Sequence, residues 1–290
     1  MTRPIALPIL VGSVVLFALI ASVVGLFSRS SGTPYSTTTL RGQTAQIYGQ
    51  GLYRFDTVFF GAGFKGQDAV ILFLGVPLLI IALLWYSRGS TAGHLLLLGV
   101  LAYFLYVYAS MAVGAAYNSL FLIYVAAFAA SLYGFVLSFS TFDIQSLAGL
   151  SSPPRAPLAA FMIFAGVVTL GVWGAPLVTA LLSRSAPDRI DTYTTMVTYA
   201  IDLAVITPAT FLCAALVFRG DPLGYFIAVP LLTLIILLAP QIVLSTVFQR
   251  AAGVPFSVGE MIGPIAGFVI LGAVAAGLLV PLLRASAHAT

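Results

Sequence analysis

Eight blocks of about 20 apolar residues, each closed by a short polar break, run through this chain and decide its solvent. They fall near 5–27, 69–87, 95–114, 117–140, 157–182, 194–217, 224–247 and 262–283. A water-soluble domain carries about 25% charged residues to wet its surface, whereas here 7% are charged and 61% are apolar. The matching medium is lipid. Unpaired backbone groups are costly in hydrocarbon, so a spanning segment is a helix or a strand of a closed barrel. Barrel strands alternate apolar and polar over about ten residues, but Leu78 to Leu84 and Leu231 to Leu238 run on without alternating. The blocks predict an all-α polytopic membrane bundle of about eight transmembrane helices, a single membrane domain over 1–290.

The first block follows Arg3 and is longer than a signal-peptide core, and no small-x-small cleavage site comes after it, so it reads as an uncleaved span. An even number of spans puts both termini on one side. That side holds one arginine per connection: Arg3, Arg88, Arg155, Arg219 and Arg284. The other holds Arg29, Arg41, Arg54, Lys65, Arg184, Arg189 and Arg250, and a raw positive-inside count slightly favours it as cytoplasmic, but four of these lie in one long loop that reports orientation poorly. The reading taken is cytoplasmic termini in a bacterial cytoplasmic membrane, the source inferred from an alanine-rich composition with Lys65 as its one lysine. The net charge of +4 is thinly scattered, with no basic cluster for nucleic acid. A lone cysteine, Cys213, excludes an internal disulfide and reads as a small buried apolar residue.

Residues 28–68 form the one long loop, expected outside the cytoplasm. Its first part is rich in Ser, Thr, Gly and Pro. Its second interleaves Tyr48, Tyr53, Phe55, Phe59, Phe60 and Phe64 with glycines and charges, a composition suited to the headgroup zone. A short interfacial helix or re-entrant hairpin is expected there, or else a plain aromatic belt. Arg54, Asp56 and Lys65 are its candidate binding residues; Arg54 could pair with Asp56, and Asp68 could cap the second span.

Chemistry inside the bundle centres on Asp202. A carboxylate buried in a span costs on the order of 3 kcal/mol even on lenient insertion scales, so something must offset it. Thr195, Thr198 and Tyr199 precede it at helical spacing and make a polar stripe. Pro208, six residues on, has no N–H to donate and frees a carbonyl near Ala204. Such an oxygen-rich patch could hold a proton or a small cation; the plain alternative is a neutral Asp bonded to a neighbouring helix. A second polar surface comes from Tyr103, Tyr106 and Ser110 on the third span, and from Tyr117, Tyr124, Ser131 and Ser138 at seven-residue intervals on the fourth. Interhelical hydrogen bonding explains these equally well. Pro230 and Pro240 predict a kinked seventh span, with Gln241 beside the second proline. Gly263, Gly267, Gly272 and Gly277 predict a close-packing seam on the eighth, with Glu260 at its positive end. No repeat of one half of the chain in the other is visible by eye.

Familiar catalytic patterns are missing. There is no His-Glu-x-x-His, no Gly-x-Ser-x-Gly and no phosphate-binding Gly-Lys-Ser/Thr loop. His94 and His288 lie outside the apolar blocks, and the acids are too scattered for an ordinary metal site. No cofactor is expected, and an enzyme is the least favoured class. The stretch Leu52 to Asp68, with Leu74-Gly-Val-Pro-Leu78, Tyr103-Phe-Leu-Tyr106 and Gly114-Ala-Ala-Tyr-Asn118, resembles a set of bacterial multi-span membrane proteins with no assigned activity. It covers about the first half of the chain and implies architecture alone. Two functions stand in order: passage or binding of a small solute, proton or cation near Asp202, or else a scaffold or accessory subunit of a membrane complex. The partners expected are the lipid bilayer and either a small solute or ion, or a membrane protein.

Overall fold

The computed structural model describes residues 4–149 and 153–287; Arg3, His288 and the side chain of Glu260 lie outside the described residues. Among the described residues, eight helices are long and apolar enough to cross a membrane, as the eight blocks predicted. They are α1 (Ala6–Phe27), α2 (Val58–Ser87), α3 (Thr91–Gly114), α4 (Phe121–Thr141), α5 (Arg155–Leu182), α6 (Val197–Arg219), α7 (Pro222–Ala251) and α8 (Val258–Ala287). The chain is an all-α membrane bundle. Helix α1 packs on α4, α2 on α7, α3 on α4 and α7, α5 on α6, and α7 on α8. One buried apolar cluster joins α1 to α4 with part of α7, and a second joins α5 to α8 with the start of α3.

The long loop departs from expectation. Residues Tyr35–Thr38 (β1) and Thr44–Ile47 (β2) pair as an antiparallel hairpin, where an interfacial or re-entrant element was expected. The last quarter of the supposed loop already belongs to α2, whose N-cap is Thr57, its side chain accepting from the Phe60 N–H. Asp68 therefore caps nothing; it lies inside the span. Asp56 does not depend on Arg54, whose guanidinium lies over the Phe55 ring. Its Oδ1 accepts from Ala116 N–H and from the Tyr193 hydroxyl, both at 2.8 Å. One carboxylate thus ties three connections together on the hairpin side of the bundle.

The chain also repeats itself. In α2 the segment Ile71–Gly75 is π-helical, and in α6 so is Asp202–Ile206. Each wide turn sits just before a proline, Pro77 or Pro208, which has no N–H to continue an α ladder. Each helix then ends on an Arg-Gly pair, Arg88-Gly89 or Arg219-Gly220, whose glycine takes a positive φ. The next residue, Ser90 or Asp221, caps the following helix with its side chain. Every landmark in the second set lies 131 residues after its mate (71 to 202, 77 to 208, 88 to 219). The packing follows the same register. A Cβ on Gly93 would fall 2.6 Å from the Trp85 carbonyl carbon, and one on Gly224 would fall 2.8 Å from that of Leu216. The hairpin α2–α3 is therefore built like α6–α7, and both begin on the same side. Such parallel repeats are one of the two ways transporters are duplicated.

The small-residue seam on α8 is only partly used. Gly272 packs on Ala239, while nothing stands near a Cβ built at Gly263, Gly267 or Gly277.

Candidate functional site

Helix α6 starts at Val197, so Thr195 belongs to the preceding loop and the expected helical stripe begins at Thr198. Asp202 opens the π segment five residues later, about 8 Å along the axis at 1.5 Å per residue. It is 6% exposed. The freed carbonyl expected near Ala204 becomes part of the wide turn, in which the Thr207 N–H bonds the Asp202 carbonyl. A π turn at this depth is tolerated where it borders a cavity or is covered by protein, and such turns are frequent at functional sites.

Asp202 lines a cavity of about 220 Å³ between α2, α3, α5, α6, α7 and α8. At about 30 Å³ per water, this is room for roughly seven waters or one small molecule. The walls are mostly apolar, with a few polar groups turned inward: Gln67, Tyr106, Ser110, Thr198 and Gln241 besides the carboxylate. That mixture is the usual character of a small-molecule site. The Tyr106 hydroxyl donates to Asp202 Oδ2 at 3.3 Å. Across the cavity, Tyr103 donates to Gln241 Oε1 at 2.8 Å, and Gln241 Nε2 donates to Gln67 Oε1 at 3.0 Å. The chain of bonds stops there, because Gln67 Nε2 is buried with no partner. A buried amide donor left open beside a cavity is an open position for a ligand or ordered water.

A second cavity of about 280 Å³ lies toward the hairpin side. Its lining includes Arg189, Tyr193, Thr195 and Tyr199. The two cavities abut, sharing Phe64, Ser110, Trp173 and Thr198. Tyr199 leans on Trp173, ring centroids 4.5 Å apart, and Arg189 lies 4.3 Å over the Phe59 ring. Asp56 holds Tyr193 at the rim. Burial pushes the Asp56 carboxyl up to about 6, against the lowering effect of its two hydrogen bonds. Burial and the neighbouring carboxylate also push the Tyr193 hydroxyl up.

The sequence candidates thus divide. Asp202, Thr198, Tyr106 and Gln241 meet at the inner cavity, with Tyr103 behind Gln241. Thr195 and Tyr199 line the outer one. Tyr124 does not join either, being buried toward α1 and α2; Ser131 and Ser138 share its face of α4, but Tyr117 precedes the helix and is exposed. Arg54 is spent on Phe55, and Lys65 sits half-buried on α2. Sequence reasoning missed Gln67 as a cavity residue. Its signal was a polar Gln-Asp pair at the head of an apolar block, which looks like a helix start. No family model matches the chain, and neither a curated protein nor a solved structure is similar to it.

Proposed function

We propose that the protein carries a small polar solute across the membrane through the cavity beside Asp202, together with a proton held by that carboxylate. The observation that carries this reading is a buried carboxylate lining a cavity within the spans, next to a second cavity on the hairpin side. Intramembrane ionisable residues that face a cavity mark solute and ion pathways. The open Gln67 amide supplies a donor opposite the Asp202 acceptor, which suits a solute bearing both kinds of group. Irregular helices lining the site and a repeated architecture fit a transporter. A proton suits the site better than a transition-metal ion, since among the described residues no group of three or more His, Cys, Asp or Glu could hold one. The resemblance to bacterial multi-span proteins and the distribution of arginines support a bacterial cytoplasmic membrane with cytoplasmic termini.

The test is uptake by the purified protein in liposomes under an imposed pH gradient. A panel of amino acids, amines and sugars is followed by mass detection, with a trapped pH dye reporting proton entry. At least one panel member accumulates with proton entry, and Asp202→Asn lowers that coupled uptake at least tenfold. Uptake by the variant equal to that of the wild type sinks the reading. The second reading, an accessory subunit, rests on Gly263 and Gly267 of α8, a small-xxx-small pair with open space beside it. A stoichiometric membrane partner recovered in mild detergent, lost on Gly263→Leu, would favour it.

A further inference from the structure

Asp68 takes no part in the cavity, yet among the described residues it is the other carboxylate buried within a span, 2% exposed on α2. The Tyr53 hydroxyl, descending from the loop on the hairpin side, donates to its Oδ2 at 2.6 Å. On α1, Gly25 leaves the room this arrangement needs, since a Cβ there would overlap Asp68 Oδ2 and stand 2.6 Å from the Tyr53 hydroxyl. The surroundings are phenolic. Tyr103 and Tyr108 of α3 and Tyr124 of α4 all lie within electrostatic reach of the carboxylate. The hydroxyls of Tyr108 and Tyr124 are buried and have no partner. Among charged groups, Lys65 on the same helix acts on Asp68, and Arg29 acts on Lys65. Helix α1 offers glycine at the contact and nothing titratable.

We infer that Asp68 with Tyr53, Tyr108 and Tyr124 forms a second proton-binding site, coupled to the Asp202 cavity through Tyr103, Gln241 and Gln67. Three independent observations meet here. A buried acid stands beside each wide turn, though not at matched positions of the repeat: Asp202 opens one, and Asp68 stands three residues before the other. The Asp68–Tyr53 hydrogen bond, with Tyr124 beside Tyr53 and the unpartnered Tyr108 hydroxyl within electrostatic reach, makes a cluster whose hydrogen bonding changes when a proton arrives or leaves. One of the phenols that feels Asp68, Tyr103, is the first link of the hydrogen-bonded bridge that ends on the open Gln67 amide. A change of charge on Asp68 is therefore read at the cavity wall. The coupling rests on the reading of the cavity as a solute site; the proton site does not.

Infrared difference spectroscopy of the whole protein in lipid, with protons as the only probe, tests both parts. Between pH 4 and 9 the wild type shows a protonated-carboxyl band that Asp68→Asn removes and Asp202→Asn leaves in place. Tyr53→Phe shifts the frequency of that band, because it deletes the donor while keeping the carboxylate. Coupling appears as a change of about fivefold or more in the proton affinity of Asp68 on Asp202→Asn, abolished by adding Tyr103→Phe. Identical pH-difference spectra for the wild type and Asp68→Asn overturn the site. If Asp68→Asn does not fold, an unmoved band in Tyr53→Phe overturns it instead. An unchanged affinity in Asp202→Asn overturns the coupling. None of these outcomes bears on solute uptake, so the site and the transport reading fail separately.

Discussion

Asp56 shows how much one buried carboxylate can control. Two hydrogen bonds hold it between loops, yet its second oxygen is buried without a partner, and burial outweighs the bonds. Its folded-state value, about 6, lies above the ordinary 3.8. The folded protein therefore binds the proton more tightly than the unfolded chain. The resulting stability is full below about pH 4 and is lost as pH rises through 6, a difference of about 3 kcal/mol. Asp56→Asn keeps an acceptor for Ala116 and Tyr193 and removes the charge. Thermal unfolding in detergent should show the wild type weakening between pH 4.5 and 7.5, and Asp56→Asn weakening by about 3 kcal/mol less over the same range. At this scale the sequence was informative about type and poor about place. Asp202 stood out because its neighbours are apolar for a turn on the C-terminal side. Asp68 did not, because Lys65, Gly66 and Gln67 precede it and imitate a helix start.

Helix ends carry the repeat, and they explain why it was invisible. The matched residues are Pro77 with Pro208, Arg88 with Arg219, Gly89 with Gly220 and Gly93 with Gly224, all of which act on the backbone or at turns. Lipid and core faces accept any apolar residue of suitable size, so the stretches between these landmarks share a pattern without sharing letters. If the two hairpins are built alike, Gly93→Ala and Gly224→Ala should destabilise alike. Each new Cβ meets the backbone of the preceding helix end, which cannot rotate away. A loss of about 1–3 kcal/mol is expected for each, near the range for overpacking, read as matched drops in midpoint temperature. A neutral Gly224→Ala beside a damaging Gly93→Ala would break the equivalence. The hairpin β1–β2 was illegible for a different reason. Its strands are four residues each: Tyr35–Thr38 has no apolar alternation, and in Thr44–Ile47 the buried Ala45 and Ile47 alternate over a stretch too short to stand out.

The whole bundle follows from hydropathy, since lipid demands closed backbone bonding and the blocks are too long and too evenly apolar for anything but helices. The cavities do not follow from it. They depend on which faces of distant helices meet, as Gln67 of α2 meets Gln241 of α7, and such pairings leave no local trace. Access is the property of the whole molecule that a single probe can test. Thr198 lines both cavities. In a Cys213→Ala background, Thr198→Cys should react with an impermeant maleimide added from the hairpin side. Labelling solely from the opposite face would reverse the proposed entrance.

The paired wide turns have one more consequence. A spanning helix ordinarily cannot lose a residue, because everything beyond the cut swings by about 100°. A π turn already holds one residue more than the α spacing needs. Excising Phe73, which points out of the bundle, lets α2 close to ordinary pitch with Pro77 onward still facing its old neighbours. The same excision at Val125 in α4 would swing the buried Ser131 and Ser138 toward the acyl chains. Tolerance of shortening is thereby confined to Ile71–Gly75 and Asp202–Ile206, and monodisperse expression of the two excised chains would tell them apart.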